Sequence, residues 1–348
     1  MKQILLITAT ILFIVLGISC TKEIEFNDQL LDPVLVVNSI CTLNDTLMVD
    51  VSATKTIPGF ESSFRFIPDA TVKLYVDGVE TGQMLFDSTL IGQNNSARYL
   101  GNTIVTTGKK YRVEVSHKDF NKVATAEMQM SNLVPILGFE TEDVVKKGSN
   151  AEDSKLTKVT VRFSDPADEK NYYRLGVTVR IGKDQSYVNE AGDSVIMVQV
   201  MDHISYSEIE SDDPVLATNS NADDIFSESS SFGYALFTDE LFNGKTYDLD
   251  FYLSSWISEQ LRGLNTLNRE FYSIDVELQS LTKETYYYIK SSSSSSIGDG
   301  LFTEPVQVFN NIENGLGIFG GCSSSVSHTE KGTYPIDGVQ YYYGYSSF

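Results

Sequence analysis

The sequence has 348 residues and a formal net charge of −21, from 26 basic and 47 acidic side chains. So large a negative excess is repelled by phosphate backbones and by anionic lipid head groups, which argues against nucleic-acid binding and against membrane attachment through charge. Apolar residues make up 41% of the chain, as in ordinary globular proteins. A chain of this length buries enough surface to fold without disulfide or metal staples.

The first twenty residues have the pattern of an export signal. Lys2 precedes an apolar run from Ile4 to Leu16, which is shorter than the roughly 18 residues of a membrane-spanning helix. A positive residue, an apolar run and a small residue at the cleavage point are typical of a secretory signal. A cysteine directly after the small residue, here Cys20, is typical of a bacterial lipoprotein signal. We therefore expect residues 1–19 to be removed and Cys20 to carry lipid; the alternative is a plain secretory signal with an incidental cysteine.

Residues 20–32 then form a short polar tether. The run Lys22-Glu23-Ile24-Glu25 is similar to the export signal that sends Bacteroidota lipoproteins to the cell surface. This similarity predicts a lipid-anchored protein of the outer membrane that is exposed at the surface. A tether that is rich in glutamate for solubility alone is the alternative.

Residues 33–134 carry the alternating pattern of short strands with turns between them, which predicts a β-sandwich. The run Val34–Ile40 predicts a buried strand, and Asp77-Gly78 predicts a hairpin turn with its return strand at Gln83–Phe86. The other strands of this domain are predicted at residues 46–52, 70–76, 111–115 and 123–130.

Residues 135–348 predict a larger β domain with one short helix. Strands are expected at residues 155–163, 172–181, 195–200, 233–237, 246–253 and 271–278. Ser280–Lys290 opens with a hydroxyl side chain and stacks apolar residues at helical spacing, which predicts the helix. The Tyr-rich end, Tyr341–Tyr345, fits either a patch that contacts sugar or peptide, or a closing strand with two aromatic faces.

The acidic stretch 202–231 predicts a long excursion from the sheet. Its carboxylates are hard oxygen ligands of the kind that calcium prefers, but they lack the spacing of a dedicated calcium loop. A solvated loop is therefore the favoured interpretation, and calcium binding stays open.

No catalytic, cofactor or metal motif is found in the sequence. His117, His203 and His328 are widely separated and lack the clustering of zinc ligands. Two Ser-x-x-Lys matches occur, at Ser52–Lys55 and Ser280–Lys283, where a strand end and a helix cap explain the residues better than a nucleophile–base pair does. Carboxylate pairs for glycoside hydrolysis are recognised only by their separation in space, so they stay open.

Two cysteines, Cys41 and Cys322, lie in the body of the chain. In an exported protein they are free to form a bridge. Separate burial as small hydrophobic side chains fits a pair so distant in sequence equally well.

The most distinctive stretch is Leu301–Gly321, in which four glycines fall within seven residues between apolar, strand-like pieces. Such glycines predict a positive φ angle or a close approach of backbones. Phe-x-Glu-Pro-Val followed by Asn-Ile-x-x-Gly-Leu-Gly-Ile-Phe-Gly resembles the C-terminal signature of a family of Bacteroidota outer-membrane lipoproteins of unknown function. Pro33–Ser39, Asp69–Tyr75 and Phe237–Gly244 are similar to other parts of that family.

The resemblance implies an N-terminal sandwich of immunoglobulin-like or transthyretin-like type and an accessory role beside a TonB-dependent outer-membrane transporter. It carries over no functional residues, because the family has no assigned active site. We therefore expect a non-enzymatic binding subunit of a TonB-dependent transport or other outer-membrane complex. The alternatives are a surface hydrolase with carboxylates in the second domain and a structural or assembly lipoprotein.

Overall fold

Strands account for most of the fold. The structure is a computed structural model and describes residues 32–54, 65–90, 98–147, 153–167, 169–205, 209–217, 235–265, 269–297, 307–332 and 340–344. Within these ranges the strands are β1 Leu35–Thr42, β2 Thr46–Ala53, β3 Arg65–Phe66, β4 Thr71–Val76, β5 Val79–Gln83, β6 Leu85–Phe86, β7 Arg98–Ile104, β8 Lys110–Ser116, β9 Ala124–Gln129, β10 Ile136–Lys147, β11 Asp153–Ser164, β12 Tyr172–Asp184, β13 Tyr187–Val188, β14 Ser194–Val195, β15 Met197–Ser205, β16 Leu236–Thr238, β17 Thr246–Tyr252, β18 Phe271–Leu281, β19 Leu316–Lys331 and β20 Gln340–Gly344. The helices are α1 Pro214–Ala217, α2 Ser255–Arg262 and α3 Lys283–Ile297, with 3₁₀ turns at Ser88–Leu90 and Asp239–Leu241. The prediction of a mainly β fold is confirmed.

One large sheet runs through both halves of the chain. Its strands follow the order β20-β15-β12-β18-β19-β1-β2-β7-β6, with β16 beside β12 and β3 beside β2. A four-stranded sheet, β5-β4-β8-β9, and a three-stranded sheet, β10-β11-β17, pack against it, and β13 and β14 form a small hairpin. The described residues from Pro33 onward belong to one compact unit.

Two hydrophobic cores lie on the same face of the large sheet. The first fills the space between β1, β2 and β7 and the four-stranded sheet, and it also contains Ile312 and Phe319. The second lies between β12 and β18 and the three-stranded sheet, where Phe163 contacts Tyr173, Phe237 and Phe242 with ring centroids 5.5–6.3 Å apart. Met130 belongs to the first core and Val134 to the second. Strand β19 pairs with β1 and with β18, so it joins both halves, and the predicted division at residues 134/135 stays a prediction.

The N-terminal stretch and the Gly-rich C-terminal stretch that resemble the lipoprotein family are neighbours in the large sheet. β1 pairs with β19 in parallel, from Val36 opposite Leu316 to Thr42 opposite Cys322. The prediction that these glycines serve a close backbone approach or a positive φ is confirmed. Gly317 has φ +118°, and a Cβ added there would lie 2.1 Å from the backbone oxygen of Val37.

Helix α3 covers the opposite face of the large sheet. A Cβ on Gly320 would meet Thr285 of α3 at 2.3 Å, whereas one on the next residue, Gly321, would meet the first core. Thr282 is the N-cap of α3. Its hydroxyl accepts a hydrogen bond from the Thr285 amide at 3.3 Å and from the Gly321 amide at 3.1 Å.

Three local predictions differ from the structure. The Asp77-Gly78 turn forms with two positive φ angles, as a two-residue hairpin requires, so the return strand is β5 and begins at once at Val79 rather than at Gln83. The start of the 202–231 excursion is instead the end of β15. Strand β1 is buried on only one face, since Asn38 and Ile40 on the other face are exposed. Helix α2 and the edge strand β10 were not predicted.

Candidate functional site

An apolar surface lies on the outer face of the large sheet, over the first sandwich. We call it the apolar face, and its residues are Ile40, Met48, Leu85, Leu100 and Ile104. Leu85 stands directly opposite Leu100, and Leu100 directly opposite Met48, so they form a row across three neighbouring strands. Leu85 is 72% exposed, Ile104 52% and Ile40 44%, while Met48 and Leu100 are half-buried.

The alternation of each strand places these side chains outward. Leu47, Tyr99 and Phe86, their neighbours in sequence, point inward to the first core. The exposed areas of the apolar face amount to on the order of 300 Å², the size of patch that is often functional on a monomer. Its rim is polar, because Arg98 donates two hydrogen bonds of 2.9 Å to Asp50 on the neighbouring strand.

The other half of the large sheet has a charged outer face. Arg180 donates two hydrogen bonds of 2.7 and 2.9 Å to Asp202 across β12 and β15. His328 on β19 lies 2.6 Å from Asp275 on β18, and the hydrogen bond to this carboxylate raises the pKa of His328 above its usual value. These are pairs of opposite charge between adjacent strands, which stabilise a sheet. They do not form a convergent catalytic group.

The aspartates of the acidic stretch 202–231 that the structure describes have different surroundings. Asp212 accepts a hydrogen bond from Lys146 at 3.0 Å, whereas Asp213 is buried and accepts from the Val215 amide and the Tyr247 hydroxyl. Asp223 and Asp224 lie outside the described residues. Across the part of the chain that is described, no three His, Cys, Asp or Glu side chains converge as a metal site would require.

The two Ser-x-x-Lys matches are not brought into a catalytic arrangement where the structure describes them. Ser280 lies in β18, buried, and its hydroxyl accepts a hydrogen bond from the Val134 amide, while Lys283 is exposed. In the first match Ser52 lies on β2, and Lys55 is outside the described residues. His117 lies 2.9 Å from Asp69 in the first sandwich, far along the chain from the other two histidines.

Cys41 and Cys322 lie on adjacent strands, and both thiols are free. Cys322 is level with Thr42, one position beyond Cys41, so the two thiols point to opposite faces of the sheet. Cys41 faces the first core, where burial raises the pKa of its thiol to about 12. Cys322 packs toward α3 against Leu281 and Tyr286. A buried thiol with a raised pKa is unreactive, which fits the interpretation of separate hydrophobic burial.

Cys20, the predicted lipidation site, and the tether run Lys22–Glu25 lie outside the described residues. Among the helices that are described, none has the length and apolar content needed to cross a membrane. Of the C-terminal tyrosines, Tyr341, Tyr342 and Tyr343 lie in β20. This strand pairs in parallel with β15 at the edge of the large sheet.

Comparison with known families covers most of the chain. Residues 21–328 match the model of a domain of unknown function, DUF4249. The chain belongs to the DUF4249 family. The match includes both the N-terminal strand β1 and most of β19, so the parallel pair that joins the two halves lies within the DUF4249 domain.

Two solved structures of one enzyme show distant similarity to the chain. The β-glucuronidase of Parabacteroides merdae, in a structure with glycerol in its active site, is 13% identical, with a TM-score of 0.21, over 71% of this chain and 23% of the enzyme. A second structure of that enzyme gives 12% identity and a TM-score of 0.20, with the same coverage of both chains. The DUF4249 chain thus spans less than a quarter of the enzyme's length, and a TM-score this low indicates neither a shared fold nor a shared activity. No curated protein matches the chain.

Proposed function

We propose that this DUF4249 protein is a Bacteroidota lipoprotein, anchored in the outer membrane through Cys20 and exposed at the cell surface. Its function is that of a non-enzymatic accessory subunit that docks on an outer-membrane partner, a TonB-dependent β-barrel transporter. The observation that carries the docking role is the apolar face. An exposed apolar patch with a polar rim is typical of a protein–protein contact site.

The position of the apolar face in the chain supports this partner. It lies on the first sandwich, whose first strand begins at Leu35, fifteen residues after Cys20. Fifteen extended residues span at most about 50 Å. A lipid on Cys20 therefore keeps the apolar face close to the membrane, within reach of the exposed loops of a membrane protein.

The charge of the protein favours a protein partner over the lipid surface itself. With Lys2 removed together with the signal, the formal net charge of −21 becomes −22. Anionic head groups repel such a body, so lipid contact is left to the acyl chains. The apolar face then stays available for a protein surface of matching shape.

The docking role is tested by purification in mild detergent, followed by mass spectrometry of the proteins that accompany the lipoprotein. We expect a β-barrel transporter to co-purify. Leu85→Asp places a charge at the most exposed residue of the apolar face and should abolish co-purification. Val79→Asp is the matched control: Val79 is 68% exposed, but it lies on β5 in the opposite sheet.

Three outcomes contradict the docking role. They are recovery of the wild type without any membrane protein, equal loss of the partner in both variants, and recovery only of further copies of this chain. The anchor is tested separately with Cys20→Ala, which should release a folded protein from the membrane fraction. A Cys20→Ala protein that stays membrane-bound would exclude the lipid anchor.

A further inference from the structure

Strand β10 forms one edge of the three-stranded sheet, on the second sandwich. It is twelve residues long, and among the strands that are described it pairs only with β11. Most of its residues are exposed, including the apolar Val145 at 59%. An average strand has about 5–6 residues, and a long exposed edge offers a row of backbone groups to another chain. Within the described part of the chain, β10 therefore has room for a further strand beside it.

The hydrogen bonds of β11 determine which backbone groups of β10 face this open edge. The Leu253 amide donates a hydrogen bond to the Thr157 carbonyl, so the odd-numbered residues of β11 bond to β17. Its even-numbered residues then bond to β10, because successive residues of a strand alternate between its two neighbours. From residue 138 onward, even-numbered residues of β10 stand opposite even-numbered residues of β11. The backbone groups of Thr141, Asp143 and Val145 therefore point to the open edge.

The outward side chains at the centre of β10 are acidic. Glu140 and Glu142 are exposed and lie on the face of the three-stranded sheet that is turned away from the second core. Lys158 stands opposite Glu142, but its ammonium group lies 2.7 Å from Asp250 on the far strand β17. The order across the three strands is therefore acidic, basic, acidic. A fourth strand with basic side chains would continue this alternation, and opposite charges on adjacent strands stabilise a sheet.

The second cation at the centre of β11 is bonded in the same direction. Arg162 donates hydrogen bonds of 2.6 and 2.7 Å to Asp248 on β17. Both cations thus bond toward β17, while the glutamates of β10 lie beside the open edge. A second copy of β10, paired antiparallel along its whole length, would set Glu140 or Glu142 against Glu142. Because like charges directly opposite each other destabilise a sheet, the charge of this edge fits a basic strand and not a second copy.

We propose that the edge of β10 binds an extended polypeptide segment of another protein, with basic side chains at alternate positions. The segment adds as a fourth, antiparallel strand, its backbone bonded to Thr141 and Asp143. Its basic side chains lie beside Glu140 and Glu142, in pairs that exchange no backbone hydrogen bonds and in which side chains are closest. The net charge of −21 also attracts a basic segment. This edge shares no residue with the apolar face, so either role can fail without the other.

The test is isothermal titration calorimetry of the full mature chain, in mild detergent, with three capped peptides. The first, Val-Val-Thr-Lys-Thr-Lys-Thr, begins beside Val145 and places its lysines beside Glu142 and Glu140. The second has glutamate in place of both lysines. The third is the first peptide with methyl groups on the backbone nitrogens of the two threonines that flank the first lysine, which lie opposite Asp143 and Thr141.

We expect the first peptide to bind with a Kd below about 1 mM and the other two to bind at least about tenfold more weakly. Absence of binding by the first peptide overturns the proposal. Equal binding of the glutamate peptide would exclude the charge pairing, and equal binding of the methylated peptide would exclude strand addition. Either result also overturns it.

Charge-reversed variants then place the binding at β10. Glu140→Lys combined with Glu142→Lys should weaken binding of the first peptide about tenfold and strengthen binding of the glutamate peptide. Glu190→Lys combined with Glu259→Lys is the matched control, because it changes the net charge equally at exposed positions outside β10. The control should bind the first peptide as the wild type does. Equal weakening in the two double variants would mean that net charge alone attracts the peptide, which overturns the proposed site.

A last pair of variants tests the backbone of the edge. Thr141→Pro removes an amide that faces the open edge and that pairing with β11 does not use, and proline is tolerated on edge strands for this reason. Thr141→Val keeps the amide. Thr141→Pro should bind the first peptide at least about tenfold more weakly than Thr141→Val, with urea unfolding to confirm that both variants are folded. Equal affinity in two folded variants overturns strand addition, and the methylated peptide tests the same point on the unaltered protein.

Discussion

Gly317 provides the most direct test of how the two halves of the large sheet are joined. Replacing it with alanine has two separable costs. A φ of +118° is strained for any residue with a Cβ, at about 1–3 kcal/mol. The added Cβ would also lie 2.1 Å from the Val37 oxygen, so β1 or β19 must shift, at a further cost of about 1–3 kcal/mol. The two costs together predict a loss of about 2–6 kcal/mol in the free energy of unfolding.

Two other glycines separate these costs. Gly82 has φ +127° with no atom within 4 Å of an added Cβ, so Gly82→Ala should show the strain alone, at about 2 kcal/mol. Gly138 has ordinary φ and equally open space, so Gly138→Ala should stay within about 0.5 kcal/mol of the wild type.

The measurement is urea unfolding of the three variants and the wild type, followed by far-UV circular dichroism. With an m value of about 3 kcal/mol/M, a difference of 2 kcal/mol between Gly317→Ala and Gly82→Ala shifts the midpoint by about 0.7 M. Trp256 on α2, which packs on β11, reports the second sandwich separately by fluorescence. If Gly317→Ala is no less stable than Gly82→Ala, the close approach of β1 and β19 does not constrain the fold.

Three further predictions concern single side chains. Thr282→Ala removes the hydroxyl that caps α3 and should lower the free energy of unfolding in urea by about 1–2 kcal/mol. Thr282→Ser keeps the hydroxyl and should retain most of this stability. Equal losses of stability in the two variants would show that the hydroxyl is not the cause. The raised pKa of His328 beside Asp275 means that its stabilising charge is fully present below about pH 6.5 and is lost as the pH rises through the folded-state pKa. The unfolding free energy should therefore fall less between pH 6 and pH 8 in His328→Gln than in the wild type, and an identical pH slope in the two proteins would contradict the pairing. Cys41 and Cys322 should both react as free thiols with a thiol reagent after denaturation without reductant, because they point to opposite faces of the sheet. Recovery of a disulfide between them would contradict the register of β1 and β19.

The alternation of side chains along the sequence was sufficient to predict the strands that are buried on one face. In β2, the buried residues Leu47, Val49 and Val51 alternate with half-buried neighbours, and the structure has the strand within one residue of its prediction. Strand β10 was missed because it pairs only with β11 and is exposed along much of its length, so its burial follows no period of two. Helix α2 is eight residues long, too short for helical periodicity to stand out, although Ser254 caps its beginning.

The candidate sites depend on contacts that the sequence does not encode locally. The parallel pairing of β1 with β19 joins residues about 280 positions apart, and nothing in the run Val36–Thr42 indicates its neighbour. For the same reason the apolar outer face of β1 was interpreted as buried: Ile40 is apolar, and the sequence does not say whether another layer covers it.

The place of β1 in the large sheet has a mechanical consequence. Strand β1, the first strand in the described part of the chain, is not at an edge but is hydrogen-bonded on both sides, to β2 and to β19. A pull on the tether along the strand axis therefore loads many ladder hydrogen bonds at once, in shear, instead of opening them one after another. In a single-molecule experiment that holds the chain at its N-terminus and beyond β19, we expect the first sandwich to resist as a clamp until β1 slides out.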